Sequence, residues 1–395
     1  MHRVAEALRC CLAGLLVTAS ALLCTTVLRP ADPGSTPIRV VDSIVFVPAT
    51  PAALSSAMRD APSRDAPSHD ARSVRIAFVG DIMQHHAQAD DDFQASYAEI
   101  ARVLSPFDAV VGNLEFPVDS TRPVGPMRGG TTFNGSGAHV SALAAAGFTV
   151  LSVANNHAFD QGPDGFGRTV AVIRARGMVP LGVAAPEGGS QPPVFVNVRG
   201  VKVALLAYTI PPNPYVGAGD TVRPVPRTTP LTMLNFRGWE AEFRKSGQDI
   251  LRGHAAAARG AGAQSLVAIV HWGEEWHLHP TSGQITAAHD IIDAGFDVVV
   301  GSHPHVLQGS ELYRGGFIAY SLGNFNSDFS PLATRTGAIL ELDFATDSAG
   351  AHLSRFGYVP ITVKRRGHVV VRADSGSAEW RVACRILGAG VRGCG

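Results

Sequence analysis

Polar side chains of the kinds that bind metal ions stand where several apolar segments of this sequence end. The segment Val150–Val153 runs almost directly into Asn155, Asn156 and His157, and Asp160 lies three residues further on. In open α/β sheets, the carboxyl ends of the strands form the edge at which ligands bind. A turn in which Asn and Asp only satisfy backbone groups explains this single stretch equally well. Recurrence of the pattern elsewhere favours a binding site.

The pattern recurs at four further points of the chain. Apolar segments of buried-strand length deliver Asp81, Glu115 and His271, and a fourth delivers both His303 and His305. Because parallel strands end at one edge of a sheet, we predict that these side chains converge along one rim of a single sheet. The predicted cluster comprises Asp81, Glu115, Asn156, His271, His303 and His305.

Carboxylate, imidazole and amide groups in this combination predict a dinuclear metal site. Carboxylates neutralise and bridge cations, and the absence of cysteine from the cluster favours Mn, Fe or Zn over a soft metal. Two such ions, about 3.5–4 Å apart, bind a bridging water, lower its pKa and stabilise a developing oxyanion. The cluster therefore predicts hydrolytic chemistry.

Each of these residues taken alone has a simpler explanation. An Asp after a strand is usually a helix cap, and a single His is more often a structural hydrogen-bonding residue than a ligand. The pair His303-Pro304-His305 is harder to dismiss, because one spacer places both imidazoles on the same side of an extended segment. We therefore expect both histidines to bind metal.

Composition and patterning predict one large exported domain. The chain has 395 residues, is 46% apolar and has a formal net charge of zero, which argues against a nucleic-acid partner. Strands alternate with helices from residue 74 to 374, which predicts a largely parallel, layered α/β domain. Helices are predicted at 91–104, 139–146, 165–176, 248–261 and 284–294, a hairpin at 192–208, a surface loop at 211–230, closing strands at 337–374 and a C-terminal tail at 375–395.

The amino-terminal segment predicts export. His2, Arg3 and Arg9 precede an apolar run that ends near Leu28, so residues 1–30 are interpreted as a signal peptide or a membrane anchor. Residues 31–73 are rich in Pro, Ala, Ser and Asp and predict a disordered tether. Two cysteines follow this region, Cys384 and Cys394, and an oxidising compartment would allow them to pair.

Six short motifs together resemble the capsule-synthesis CapA family, which is associated with poly-γ-glutamate production and is related to calcineurin-like metallophosphoesterases. The resemblance covers roughly residues 74–343. The motifs are GDIM at 80–83, GNLE at 112–115, ANNH at 154–157, HWG at 271–273, GSHPHVLQG at 301–309 and YSLGNF at 320–325.

The resemblance implies a metallophosphoesterase-like sandwich with mixed sheets and a role for each site residue. Asp81, Glu115, Asn156, His271, His303 and His305 would be metal ligands, with Glu115 as the bridging carboxylate. His157 would be the general acid that protonates the leaving group, oriented by Asp160. Two positions depart from the phosphoesterase pattern, because Met83 replaces a histidine and Glu115 replaces an aspartate. One of the two metal subsites is therefore expected to be weak.

The resemblance implies an exported, metal-dependent hydrolase acting on poly-γ-glutamate or a related anionic envelope polymer, beside membrane-bound synthase partners. Two other functions fit the same residues. One is a non-catalytic factor that binds the polymer for assembly or export, and the other is a metal-dependent phosphoesterase. Arg122, Arg128 and Lys202 are candidate polymer contacts, although solvation at the surface explains each of them as well.

Overall fold

The computed structural model describes residues 73–125, 132–184, 191–216, 222–223, 231–234, 241–347 and 350–394. The predicted leader and all of the predicted tether except Ser73 lie outside these residues. Within the described part of the chain, no helix is long and apolar enough to cross a bilayer.

Sixteen strands are described. In chain order they are β1 Ser73–Ile82, β2 Ala109–Leu114, β3 Val150–Ser152, β4 Val179–Leu181, β5 Val194–Val198, β6 Val201–Thr209, β7 Tyr215–Val216, β8 Val222–Arg223, β9 Ser265–His271, β10 Val298–Ser302, β11 Leu307–Tyr313, β12 Gly316–Leu322, β13 Asn324–Asn326, β14 Thr336–Asp347, β15 Gly350–Lys364 and β16 Val369–Arg372.

Eight α-helices are described in the same residues. They are α1 Phe93–Tyr97, α2 Ile100–Leu104, α3 Gly137–Ala145, α4 Gly162–Ala175, α5 Ala241–Gly260, α6 Ser282–Asp293, α7 Leu332–Arg335 and α8 Ala378–Leu387.

The strands form two large sheets. The first has the order β16-β15-β14-β1-β2-β3-β4, and β13 also pairs with β1. Its strands β1 to β4 are parallel, whereas β14, β15 and β16 join antiparallel. The second sheet has the order β11-β12-β10-β9-β6-β5, with a parallel centre and antiparallel edges. The predicted layered α/β fold with mixed sheets is confirmed.

The two sheets pack face to face, and helices cover the second sheet from outside. Strand β9 is buried along its whole length, as is typical of a central strand covered on both faces. Its side chains alternate between two apolar clusters. Val267 and Ile269 pack in the cluster shared with the first sheet, whereas Leu266 and Ala268 pack with residues of α5 and α6. Because successive side chains of this strand point to opposite faces of the sheet, the strand contributes to both apolar clusters.

Three predicted segments differ from the structure. The single helix predicted at 91–104 is interrupted, because tighter turns end α1, where Ala98 N bonds Ala95 O, and begin α2, where Arg102 N bonds Glu99 O. The predicted surface loop at 211–230 contains the two-stranded ribbon of β7 and β8 where it is described. The predicted C-terminal tail contains α8, whose Ala383 and Leu387 are buried.

Helix α8 is tied to the end of the chain by a disulfide. Cys384 lies within the helix and pairs with Cys394, ten residues later. Trp380, Cys384 and Cys394 pack against the main apolar cluster. The pairing that the sequence allowed is therefore present, and it closes a small loop that packs on the main apolar cluster.

His139 is a buried histidine of the core, and it makes the stability of the fold depend on pH. Its ring stacks on Phe93 with centroids 3.9 Å apart, and its two nitrogens lie 2.5 Å from Tyr97 Oη and 3.2 Å from Gln84 Oε1. Burial lowers the pKa of His139 to about 3. Below pH 6.5 the unfolded chain therefore binds a proton that the folded chain does not, so this contribution to stability falls as the pH falls.

We expect a His139→Gln variant to lose less stability than the wild type on acidification. The amide side chain keeps hydrogen-bonding groups but does not titrate. Between pH 7 and pH 5 the free-energy difference between the two proteins should shift by about 2 kcal/mol in favour of the variant. Denaturant unfolding of both proteins at the two pH values measures this, and a difference that is independent of pH would contradict it.

Candidate metal centre

The six predicted ligands lie together, but they come from two sheets. Asp81 lies in β1, while Glu115 and Asn156 follow β2 and β3 of the first sheet. His271 ends β9, and His303 and His305 follow β10 of the second sheet. The prediction of one rim on a single sheet is therefore wrong, because the carboxyl ends of both parallel sets face the same side of the sandwich.

His271 connects the two sheets at the centre of the cluster. Its Nε2 lies 2.7 Å from Asn156 Oδ1 and 3.3 Å from Glu115 Oε1. Its Nδ1 lies 3.1 Å from Ser302 Oγ and 3.9 Å from Asp81 Oδ1. The imidazole is buried, and three of these four groups belong to the predicted site.

Asp81 is held from both sides of the site. His303 N donates to Asp81 Oδ2 over 3.0 Å, and His305 Nδ1 lies 3.3 Å from the same oxygen. Burial opposes ionisation of Asp81, but hydrogen bonding and charge from His305 outweigh it and lower the pKa of Asp81 to about 2. Burial also lowers the pKa of His305, and Asp81 more than reverses this, so the pKa of His305 is raised. The two side chains are therefore placed to stabilise each other's charge whenever His305 is protonated.

Glu115 is the carboxylate that the protein leaves unsatisfied. The residue is fully buried, and neither of its oxygens accepts a hydrogen bond from a described residue. Burial, reinforced by repulsion from Asp81, raises the pKa of Glu115 well above its usual value. An ionised buried carboxylate without hydrogen-bond donors is costly unless a cation neutralises it, and without a cation it takes up a proton instead. The site therefore fits a metal ion, and Glu115 is the observation that best supports one.

Three overlapping groups of side chains are close enough to hold metal ions. Within each group the candidate ligand atoms lie within 4.8 Å of one another. The groups are Glu115 with His271 and His303, Asp81 with Glu115 and His305, and Glu275 with His303 and His305. Because the groups share Glu115, His303 and His305, they form one continuous cluster of candidate ligands.

His303 and His305 reach the centre through unusual backbone geometry. Their φ angles are 94° and 57°, in the region that non-glycine residues rarely adopt. The prediction that both imidazoles share one side of an extended segment is therefore wrong. Such conformations cost about 1–3 kcal/mol each and persist where surrounding contacts fix them. Here the bonds of His303 N to Asp81 and of His305 Nδ1 to Asn324 Oδ1, 2.9 Å, supply those contacts.

His157 and Asp160 form a buried pair beside the candidate ligands. His157 Nδ1 lies 2.7 Å from Asp160 Oδ2, which also accepts the backbone N–H of Phe133 over 2.7 Å. The Phe133 ring packs on His157 with centroids 4.3 Å apart. Burial raises the pKa of Asp160, although His157 opposes the shift. The pair has the geometry of an oriented imidazole whose Nε2 is left for another group.

Met83 does not approach the site as a ligand. It is buried in the main apolar cluster, and its backbone N–H bonds Asn326 O. Lys202 lies at the start of β6, at the end of the second sheet opposite to the site, where its Nζ donates to Ala261 O. Arg122 donates to Gln161 Oε1 over 3.1 Å, next to Asp160. Arg128 lies outside the described residues.

Sequence reasoning missed four residues that shape the site. Asn113 Nδ2 lies 2.8 Å from Asp81 Oδ1 and 3.2 Å from His271 Nδ1. Asn155 Nδ2 donates to Asn113 Oδ1, and Asn324 supports His305. The signal for these three was present, since each lies in a polar strand-end motif. Glu275 carried no such signal, because it comes four residues after β9 in a loop.

The protein is an α/β sandwich of two mixed sheets packed face to face. Histidines and carboxylates meet at the common edge of the sheets and form a candidate metal centre. Residues 75–329 match the model of the family described as bacterial capsule synthesis protein PGA_cap. This chain therefore belongs to that family, and the resemblance predicted from the six motifs is confirmed.

Curated relatives carry related names. Capsule biosynthesis protein CapA of Bacillus anthracis is 30% identical over 277 residues, which is 67% of this chain and 62% of that protein. PGA biosynthesis protein CapA of Bacillus subtilis is 28% identical over 305 residues, which is 76% of this chain and 74% of that protein. This chain thus spans less than two thirds of the Bacillus anthracis protein.

A solved structure is similar at lower identity. Calcineurin-like phosphoesterase YfkN of Bacillus subtilis is 13% identical, with coverage of 80% of this chain and 96% of that chain and a TM-score of 0.45.

Proposed function

We propose that this protein is an exported, metal-dependent hydrolase that cleaves poly-γ-glutamate or a related anionic polymer of the cell envelope. Membership of the capsule synthesis family supports the polymer. The predicted leader and tether support a location outside the membrane. The observation that carries the proposal is Glu115, a buried carboxylate without hydrogen-bond donors among three histidines and an aspartate.

The residues that would bind divalent ions are those whose oxygen and nitrogen atoms lie close together in the candidate metal centre. Mn, Fe or Zn suits this mixture of oxygen and nitrogen ligands. When bound, such ions lower the pKa of a water molecule and stabilise negative charge on the attacked group. The residues are Asp81, Glu115, Asn156, His271, His303 and His305, with Glu275 at the edge of the cluster.

The remaining residues of the site transfer a proton to the leaving group and hold the imidazole rings in position. Asp160 binds Nδ1 of His157 and is itself fixed by Phe133 N, so the imidazole is held in one orientation. His157 Nε2 then protonates the departing amine of a γ-glutamyl bond as the bond breaks. Asn113 and Ser302 bind His271 and hold its ring in place, as the outer partners of metal ligands do.

Metal analysis combined with turnover tests the proposal. The purified protein should contain divalent metal and should shorten γ-glutamyl polymer, and a chelator should abolish this activity until metal is restored. Polymer binding without turnover under every divalent metal tried would overturn hydrolysis in favour of an assembly factor. Turnover of a generic phosphodiester alone would overturn the polymer in favour of a phosphoesterase.

Glu115→Gln should separate metal binding from folding. The amide has nearly the same shape but needs no cation, so the metal-free variant should be at least as stable as the metal-free wild type. Metal at 100 times its Kd stabilises the wild type by about 2.7 kcal/mol, and most of this gain should be absent from the variant. Thermal melting with and without metal measures both effects.

The exposed Glu274 offers a matched control for this measurement. Its side chain is 60% exposed, so Glu274→Gln should leave the metal-dependent stabilisation unchanged. An equal gain on metal addition in Glu115→Gln and in the wild type would contradict the assignment of Glu115 as a ligand.

A further inference from the structure

A second histidine–carboxylate pair lies next to the candidate metal centre. His85 Nδ1 is hydrogen-bonded to Asp328 Oδ1, and the two side chains are 12% and 25% exposed. His85 lies three residues after β1, and Asp328 lies two residues after β13. The pair therefore stands at the same edge of the sheets as the candidate ligands, closer to the surface.

One aromatic ring separates His85 from each of two site histidines. Phe133 packs between His85 and His157, with ring centroids 4.7 Å and 4.3 Å away. Phe329 packs between His85 and His305, with ring centroids 5.3 Å and 5.5 Å away. His85 therefore lies one aromatic ring away from both His157 and His305.

The hydrogen bonds that close the turn after His85 do not use its ring nitrogens. In that turn His85 N donates to the side-chain oxygen Gln88 Oε1, and Gln88 N donates to the backbone oxygen of His85, each over 3.0 Å. Asp328 occupies Nδ1, and no described residue hydrogen-bonds Nε2. A partly exposed imidazole with one nitrogen fixed by a carboxylate and the other available is suited to bind a ligand.

We propose that His85, oriented by Asp328, binds a carboxylate of the substrate on the leaving-group side of the scissile bond. This inference rests on the proposed function. Each residue of a γ-glutamyl chain carries one free carboxylate, and His85 lies beyond Phe133 from the general acid. A hydrogen bond from an imidazole to a carboxylate is of the charge-assisted kind, so it contributes more than a neutral one. His85 is then a specificity-determining residue.

Binding measurements with two ligands test this role. The probes are a γ-glutamyl pentamer and the same pentamer with its free carboxylates converted to amides. Calorimetry uses full-length protein carrying His157→Ala, so that turnover does not interfere. Adding His85→Gln should weaken binding of the acidic pentamer on the order of 10- to 100-fold and leave the amide pentamer unaffected.

A matched control comes from a similar pair elsewhere. His289 Nε2 lies 2.9 Å from Glu311 Oε1, and its ring stacks on Tyr313 rather than on a site residue. His289→Gln should leave the affinity for both pentamers unchanged, and Asp328→Asn should weaken only the acidic one. Equal weakening of both ligands by His85→Gln, or no weakening, would overturn the proposal, as would failure of the parent protein to bind the acidic pentamer.

Turnover of the acidic pentamer by protein with an intact His157 distinguishes the proposal of hydrolysis from the proposed role of His85. His85-dependent binding without any turnover would overturn hydrolysis and support the role of His85. Turnover with a KM unaffected by His85→Gln would support hydrolysis and overturn the role of His85. A higher KM with kcat nearly unchanged would support both.

Discussion

Replacing His157 with alanine should lower kcat for γ-glutamyl polymer by on the order of 10²- to 10⁴-fold, because an amine leaves poorly without a proton. Metal content should remain that of the wild type, since the nitrogens of His157 belong to none of the candidate ligand groups. Steady-state kinetics and metal analysis of the same preparation measure both quantities. A loss of metal in parallel with activity would contradict the assignment of His157 as a general acid.

The effect of Asp160→Asn on kcat can be compared with the effect of His157→Ala. The asparagine keeps the size of the side chain but removes the charge that orients His157 Nδ1. We expect a smaller loss of kcat, on the order of 10- to 100-fold, of the size seen when an orienting outer partner is removed. Because Phe133 N also bonds Asp160, melting temperatures of both variants are needed to confirm intact folding. A greater loss in Asp160→Asn than in His157→Ala would refute the proposed division of roles.

Gly80→Ala is expected to cost more than about 3 kcal/mol of folding stability, at or beyond the upper end of ordinary overpacking. A Cβ at this position would lie 1.8 Å from Gly323 O, a backbone atom that cannot rotate away. At this point β1 meets β13, and Asp81 N bonds the same oxygen over 3.0 Å. Separating the two strands would also displace Asp81, so metal binding should weaken with stability.

Gly167→Ala serves as the control for Gly80→Ala. Gly167 lies inside α4, and an added Cβ would meet nothing within 4 Å. Alanine in an open helical position should instead stabilise the protein by about 0.4–1 kcal/mol. Denaturant unfolding of the two variants gives opposite signs if the close approach at Gly80 is the cause. Similar stability of Gly80→Ala and the wild type would contradict the crowding argument.

The contacts of Gly80 also show why the sequence predicted the positions of the strands but not how the strands are arranged in sheets. Apolar runs such as Ser265–His271 identify buried strands, because only a strand covered on both faces is apolar along its whole length. Such a run does not reveal which other strands it pairs with. The strand-end pattern therefore predicted convergence on a single sheet, whereas the resemblance implied the sandwich of mixed sheets that the structure shows. The close approach of Gly80 to Gly323, far apart in the chain, is one contact that such a pattern does not reveal.

For the candidate metal centre, too, the sequence predicted some features and only the tertiary structure revealed the others. Residue type and position at strand ends were enough to select Asp81, Glu115, Asn156 and the three histidines, because strand direction determines which edge their side chains reach. Only the folded chain decided how they reach it, through positive φ angles at His303 and His305 and through Asn113 and Glu275. Those features depend on tertiary contacts, such as the bond from His303 N to Asp81, 222 positions away, which local pattern does not encode.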